Sequence, residues 1–368
     1  MAEEPAARTP PEPEQAAVHR FPCKQCGADV EYAPGEGLKC PFCGYLQGEP
    51  ENAAAIQEYD FDSYMKHQKT GYCAEKAQEI HCKSCGATST VSGDTASAAC
   101  AFCGAPVVMK EPSEDVIRPE GVVPFKVDKR EVAKRFRLWV SKLWFAPNAL
   151  RSAVQEDRIQ GVYRPYWTYD SATRSWYEGQ RGEYYYETEH YTDSQGKRQT
   201  RQVRKTRWYP ASGQVRKFFD DVLVSAGRPL EWTSDYVLTE LKPYDPGYLA
   251  GWQAERYTTT VKDGWTRAKE IIDGHVRELV RSDIGGDEQR ISRVDTSYDA
   301  IRFKHVLLPL YLSSYAFFGK TYRFQANGQT GEIRGQRPYS FWKIFFFVMA
   351  LLFAFLGFIA FLHFAGGK

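Results

Sequence analysis

Eight of the nine cysteines fall into two copies of one pattern. Cys23-Lys-Gln-Cys26-Gly27 is followed by Cys40-Pro-Phe-Cys43-Gly44, and Cys82-Lys-Ser-Cys85-Gly86 by Cys100-Ala-Phe-Cys103-Gly104. The copies repeat at 59 to 60 positions (82 − 23 and 100 − 40), an internal repetition of a whole motif. Two cysteines three positions apart can turn both sulfurs toward one ion. The glycine after the second tolerates positive φ and lets backbone N–H groups approach sulfur. Two such knuckles supply four thiolates in a tetrahedron, which suits Zn²⁺, and gaps of 13 and 14 residues between knuckles fit a short β-hairpin. The expectation is two zinc ribbons holding two structural Zn²⁺, one on Cys23, Cys26, Cys40 and Cys43, the other on Cys82, Cys85, Cys100 and Cys103. Disulfides on the same cysteines would need an oxidising compartment, and iron is the rival metal. Each ribbon is too small to hold together by apolar burial, so metal binding is expected to drive its folding. Both sets fill four positions and leave none open for substrate. Cys73 remains as a free thiol, and His81 is a neighbour that the ligand count does not require.

A second constraint lies near the C-terminus. Ile344 to Leu362 is a run of 19 residues without one charge, long enough at about 1.5 Å per residue to cross a hydrocarbon core. Tyr339, Phe341 and Trp342 precede it as an interfacial belt. Upstream stand Lys320, Arg323, Arg334, Arg337 and Lys343 against Glu332 alone, and downstream only Lys368. The expectation is a C-terminal single-pass anchor with the N-terminal bulk in the cytoplasm, bound to the inner (plasma) membrane. A reducing cytoplasm would keep the thiols available for metal. His363 falls at the far interface without a role.

Between these features the chain is aromatic. A hydrophobic fraction of 43% over 368 residues supports a sizeable core and, with the charge, excludes a fully disordered chain. Thirteen tyrosines lie between Tyr163 and Tyr257, and aromatic enrichment favours strands. Residues 161–225 read as a β-meander in which acidic Glu183–Glu189 and basic Arg198–Arg207 face each other across the turn Asp193-Ser-Gln-Gly196. Asp128-Lys-Arg-Glu131 opens a helix carrying Val132, Phe136, Trp139, Val140 and Leu143, with its basic residues on the solvated faces. Residues 262–281 read as a second helix, and 306–334 as strands with turns at Gly319-Lys320 and Asn327-Gly328. The fold class expected is two small β zinc ribbons, then an α+β domain rich in antiparallel sheet, then one transmembrane helix. The divisions expected are a disordered tail at 1–20, ribbons at 21–48 and 80–108, a linker with a short helix at 49–79, a linker at 109–122, the aromatic domain at 123–340 and the membrane helix at 341–364.

No catalytic motif is present. Gly319-Lys320-Thr321 lacks the upstream glycine of a phosphate loop, since Ser314 stands in its place. Asp220-Asp221 reads as a solvated strand end. The formal charge of +2 is too near zero for a nucleic-acid coat. Residues 21–44 carry Lys24 and Lys39 against Asp29, Glu31 and Glu36, and a zinc–thiolate centre would add further negative charge.

Tyr248-Leu-Ala-Gly-Trp-Gln-Ala-Glu-Arg-Tyr257, Phe303-Lys-His-Val-Leu-Leu-Pro309, Asn327-Gly-Gln-Thr-Gly331 and Gly335-Gln-Arg-Pro338-Tyr-Ser340, with the repeated ribbons, carry a resemblance. Over most of residues 21–362 the chain resembles the bacterial zinc-ribbon, C-terminally membrane-anchored proteins encoded beside SPFH-domain (flotillin-like) proteins. Members are often labelled primosomal or helicase-like because of the ribbons, but the helicase nucleotide motifs are missing here. The resemblance implies a non-enzymatic adaptor that holds an SPFH or phage-shock-type partner at the membrane during envelope stress. The alternative is a membrane-tethered nucleic-acid-binding protein of replication type; an enzyme ranks last.

Overall fold

The structure, a computed structural model, describes residues 21–50, 54–67, 74–81, 88–90, 97–99, 106–152, 156–192, 194, 196–317 and 319–365. Two uninterrupted aromatic-rich segments dominate it. Gln160–Thr192 is one strand and Arg198–Ser225 another, paired antiparallel from Tyr166↔Ser225 to Thr192↔Arg198. The meander expected over 161–225 is therefore a single very long hairpin, because only one turn sequence interrupts the β-forming run. Glu288–Phe317 pairs antiparallel on the other side of the first strand, from Gly182↔Glu288 to Gln160↔Leu312. Lys320–Asn327 and Ile333–Gly335 continue the sheet antiparallel beyond it.

Beyond Gly182 the third strand has ended, so Glu183–Thr192 and Arg198–Arg207 form a two-stranded arm about 34 Å long at roughly 3.4 Å per residue. The charge complementarity read from sequence is realised there. Lys205 Nζ lies 2.6 Å from Glu187 and Arg201 Nη2 lies 3.0 Å from Glu189, while Arg204 and Arg207 stack over Tyr184 and Tyr185 at 4.2 and 4.9 Å.

Strand alternation sends Tyr163, Trp167 and Tyr169 to one face together with their neighbours Phe303, Leu307 and Tyr311. Helix α3, Val261–Ile284, covers one end of that face with Trp265, Ala268, Ile272, Val276 and Val280, spaced three and four apart. Thr260 caps it by accepting from Asp263 N–H. Gly264 allows the close approach: a Cβ there would lie 2.3 Å from the Tyr169 hydroxyl. Helix α1, Phe61–His67, adds Phe61 and Tyr64 against Trp265 and Phe303.

The other end of the face is covered by helix α2, Lys129–Ser141, which begins at the expected cap, Asp128 accepting from Glu131 N–H at 2.7 Å. Val132, Ala133, Phe136 and Val140 are buried, and Phe136 meets Phe324 at 4.5 Å. The opposite sheet face carries Val162, Tyr166, Val306 and Leu308 under residues 230–241. It also carries Arg164, whose Nε donates to Glu255 across 2.8 Å with both side chains buried.

Residues expected to be a linker differ. Pro106–Ile117 is a strand, paired with Ala74–His81 and with Ser97–Ala99. Thr88–Thr90 pairs with Ala74–His81 and with Gln253–Glu255, joining this segment to the main sheet. Helix α4, Phe341–Ala365, is the apolar C-terminal element. Its segment Phe341–Ile359 is long and apolar enough to cross a membrane, and none of that stretch is buried in the protein.

Candidate metal centre

Residues 21–50 form a three-stranded antiparallel sheet, Glu31–Ala33, Gly37–Lys39 and Leu46–Gly48. Each knuckle closes by the same short bond: Gly27 N–H donates to Cys23 O at 2.9 Å, and Gly44 N–H to Cys40 O at 3.0 Å. Both glycines hold φ near +75°, the conformation for which the Cys-x-x-Cys-Gly pattern selects glycine.

These turns bring all four sulfurs within 4.8 Å of one another. Cys23 and Cys43 Sγ lie 3.6 Å apart, and Cys26 and Cys40 Sγ 3.5 Å apart. Four thiolates about 2.3 Å from one ion would form a tetrahedron with edges of roughly 3.8 Å, so the quartet fits one tetrahedral metal. Backbone amides already favour thiolate on one side. Burial pushes the Cys23 thiol up, but N–H groups of Cys26 and Gln25 outweigh it and hold it below its ordinary value. The N–H of Cys43 leads in bringing Cys40 down to about 7. Cys43 goes the other way, to about 12: the N–H of Tyr45 opposes the rise, but burial and the three neighbouring sulfurs prevail. Four thiols this close cannot all ionise without a cation among them.

The centre is fastened to the large sheet. Tyr32 N–H donates to Ala250 O at 2.9 Å, the Trp252 indole N–H donates to Tyr32 O at 2.9 Å, and the Tyr32 and Tyr248 rings lie 5.2 Å apart. Trp252 in turn stacks on Phe125 at 4.1 Å. Val30, Tyr32, Leu38, Cys23 and Cys40 thus belong to the same apolar cluster as Phe125 and Phe136. Apolar burial therefore helps to hold this sheet, more than the isolated-ribbon expectation allows. Phe42, between Cys40 and Cys43, points outward and is 81% exposed.

Cys82, Cys85, Cys100 and Cys103, expected as the second quartet, lie outside the described residues, as does Cys73.

A second polar cluster was not anticipated from sequence. Glu58, Asp170 and Asp221 converge with carboxylate oxygens within 4.8 Å of one another. The Lys304 ammonium fills the centre, 2.8 Å from Glu58 Oε1 and 2.6 Å from Asp221 Oδ1. The sheet is shaped for it: both neighbours of the first long strand bulge at the level of Asp170, and Asp221 and Ala300 take φ of 52°. Asp221 N–H donates to Asp170 Oδ1 at 2.7 Å. Of the Asp220-Asp221 pair, Asp220 is exposed as expected, whereas the bulge turns Asp221 inward. Burial foremost, then the Glu58 carboxyl, pushes Asp170 up to about 7. Glu58 is held low although burial opposes this, because Lys304 bonds to it. The lysine stands where a metal ion would, and Arg302 Nη1 lies 3.8 Å from Glu58 Oε2, so the cluster is an internally paired ion network.

Among the described residues, a sheet-rich body with one four-thiol centre and one exposed apolar helix is the class of protein defined here. No family model and no solved structure matches the chain. The uncharacterized protein YdjG of Bacillus subtilis (strain 168) is 27% identical to it over 246 residues, which are 62% of this chain and 66% of YdjG.

Proposed function

We propose that this protein is a non-enzymatic, membrane-anchored zinc-ribbon adaptor that holds a cytoplasmic protein partner, of SPFH or phage-shock type, at the inner membrane. One observation carries the reading. The four-thiol centre is complete, with no position for substrate, and it presents an exposed Phe42 on the body that carries the apolar helix α4. A complete cysteine quartet suits a structural Zn²⁺. Cys82, Cys85, Cys100 and Cys103 hold a second Zn²⁺ in the same way, on the strength of the repeated spacing. The basic residues before α4 keep the body on the cytoplasmic side. Phe42, Tyr45 and Leu46 form the exposed apolar tip that meets the partner. The partner's class comes from the family the sequence resembles. Nucleic acid is a poor fit for a thiolate centre flanked by Asp29, Glu31 and Glu36.

Purification of the full chain from membranes in mild detergent should enrich a membrane-associated oligomer, and Phe42→Asp should lose it while retaining zinc. A purification that brings down no membrane-associated protein overturns the reading.

A further inference from the structure

At the root of α4 the sheet and the chain leading into the helix line an open, shallow cavity of about 480 Å³. It is lined by Lys320–Tyr322, by Gln336, Arg337 and Tyr339, and by Glu231 and Trp232. The volume is in the range of small-molecule sites, which run from about 300 to 1,000 Å³.

The walls are pinned. Gln336 N–H donates to Arg323 O at 2.9 Å, Gln336 Nε2 donates to Glu231 Oε2 at 2.8 Å, and the Tyr315 hydroxyl donates to Gln336 O at 2.7 Å. The Arg337 guanidinium lies 5.6 Å from the Tyr339 ring centre. Among the described residues neither Lys320 nor Arg337 has a carboxylate partner, while Glu231 is engaged by Gln336. Two cations and one occupied acid leave the cavity one positive charge in excess, which a phosphodiester would balance.

Position selects the source of that phosphate. Tyr339 lies two residues before Phe341, where the apolar span begins, and two extended residues reach at most about 7 Å. The headgroup layer on each side of a hydrocarbon core is of similar depth, roughly 5–8 Å. The helix root is also clamped to the body: Ser340 N–H donates to Phe145 O at 2.7 Å and Lys343 Nζ to Ala146 O at 2.8 Å. Trp144, 73% exposed, packs 6.2 Å from Phe347 on the first turns of α4. If α4 enters a bilayer, the cavity is carried to headgroup depth and held there.

We propose that this cavity binds the phosphate headgroup of an anionic phospholipid in the leaflet that α4 enters, with Lys320 and Arg337 as the recognising cations. The inference rests on the reading of α4 as a membrane anchor. It makes the adaptor sensitive to the lipid composition around it.

The test uses the full chain in phosphatidylcholine bilayers containing trace spin-labelled phosphatidylglycerol or phosphatidylcholine. One unbalanced cation near the surface gives the motionally restricted population a preference for phosphatidylglycerol of roughly fivefold. Lys320→Glu with Arg337→Glu should abolish the preference, and Lys262→Glu on the exposed side of α3 should leave it intact. Equal restriction of the two lipids by the wild-type chain overturns the proposal, and so does a preference that survives in the double variant. Free glycerol phosphate at millimolar concentration erasing the preference would make the cavity a general anion site and overturn the lipid assignment. Carbonate extraction of the same bilayers separates the two readings. Protein washed off every composition refutes the anchor and this site together, whereas protein retained without lipid preference refutes this site alone.

Discussion

The Trp252 indole donates its N–H to the backbone carbonyl of Tyr32 across 2.9 Å, joining the cysteine-bearing sheet to the aromatic core 220 positions away. The same ring stacks on Phe125. The four-thiol centre is therefore held by the body as well as by its own knuckles. Trp252→Ala should cost about 3 kcal/mol of unfolding free energy and speed the loss of metal to a chelator. Trp252→Phe keeps the stacking but strands the Tyr32 carbonyl, at about 1 kcal/mol. Urea titration followed by metal release reads both.

Metal content should respond to each quartet by itself. Two zinc ions per chain are expected, with Cys40→Ser and Cys100→Ser each removing one. Because thiolates are the ligands, metal should be released on acidification. Elemental analysis of the purified chain across pH checks the count and the direction; one ion in the wild type would remove the second site.

Two buried groups shift in opposite senses and oppose each other in the pH dependence of stability. Asp170, raised to about 7 chiefly by burial, binds its proton more tightly folded than unfolded, so it makes stability fall as pH rises from about 4 to 7. His305 is buried and donates from Nδ1 to Ile117 O, and burial brings it down to about 4. It binds a proton more tightly unfolded, so it makes stability rise between pH 4 and 6.5. The contributions of these two groups should largely cancel between pH 4.5 and 6.5, roughly the window where they overlap. Asp170→Asn should then gain stability with rising pH, and His305→Asn should lose it. Thermal unfolding at fixed ionic strength distinguishes the slopes.

Arg164 and Glu255 are buried as a pair, and Glu255 also accepts from Arg228 N–H at 2.8 Å. Arg164→Met leaves a buried carboxylate without its cation and should cost about 3–5 kcal/mol. Arg164→Met with Glu255→Leu should recover much of that, because neither charge then needs solvation inside the sheet. A double-mutant cycle in urea measures the difference.

What the sequence disclosed follows from range. Helix α2 announces itself through Asp128 and a four-residue apolar period, α3 through Trp265 to Val280, and the knuckles through glycines adjoining their cysteines; all are local signals. The ion network could not be read in this way. Glu58, Asp170, Asp221 and Lys304 are dispersed along the chain and meet only because two bulges align beside Asp170. The long hairpin reads as a meander in sequence for a related reason. Alternation identifies strand but says nothing about where a strand ends when no breaker intervenes. The Tyr248–Tyr257 stretch, prominent in the family resemblance, turns out to hold the cysteine-bearing sheet through Ala250 and Trp252 and to bury Glu255 against Arg164.

The adaptor reading is tested most directly at Phe42. A photo-reactive phenylalanine analogue placed there in the full chain, irradiated in intact cells, should cross-link to a membrane-associated protein of the SPFH or phage-shock class, and Cys40→Ser should remove the product. Cross-linking to nucleic acid, or to no protein at all with zinc retained, would contradict the account.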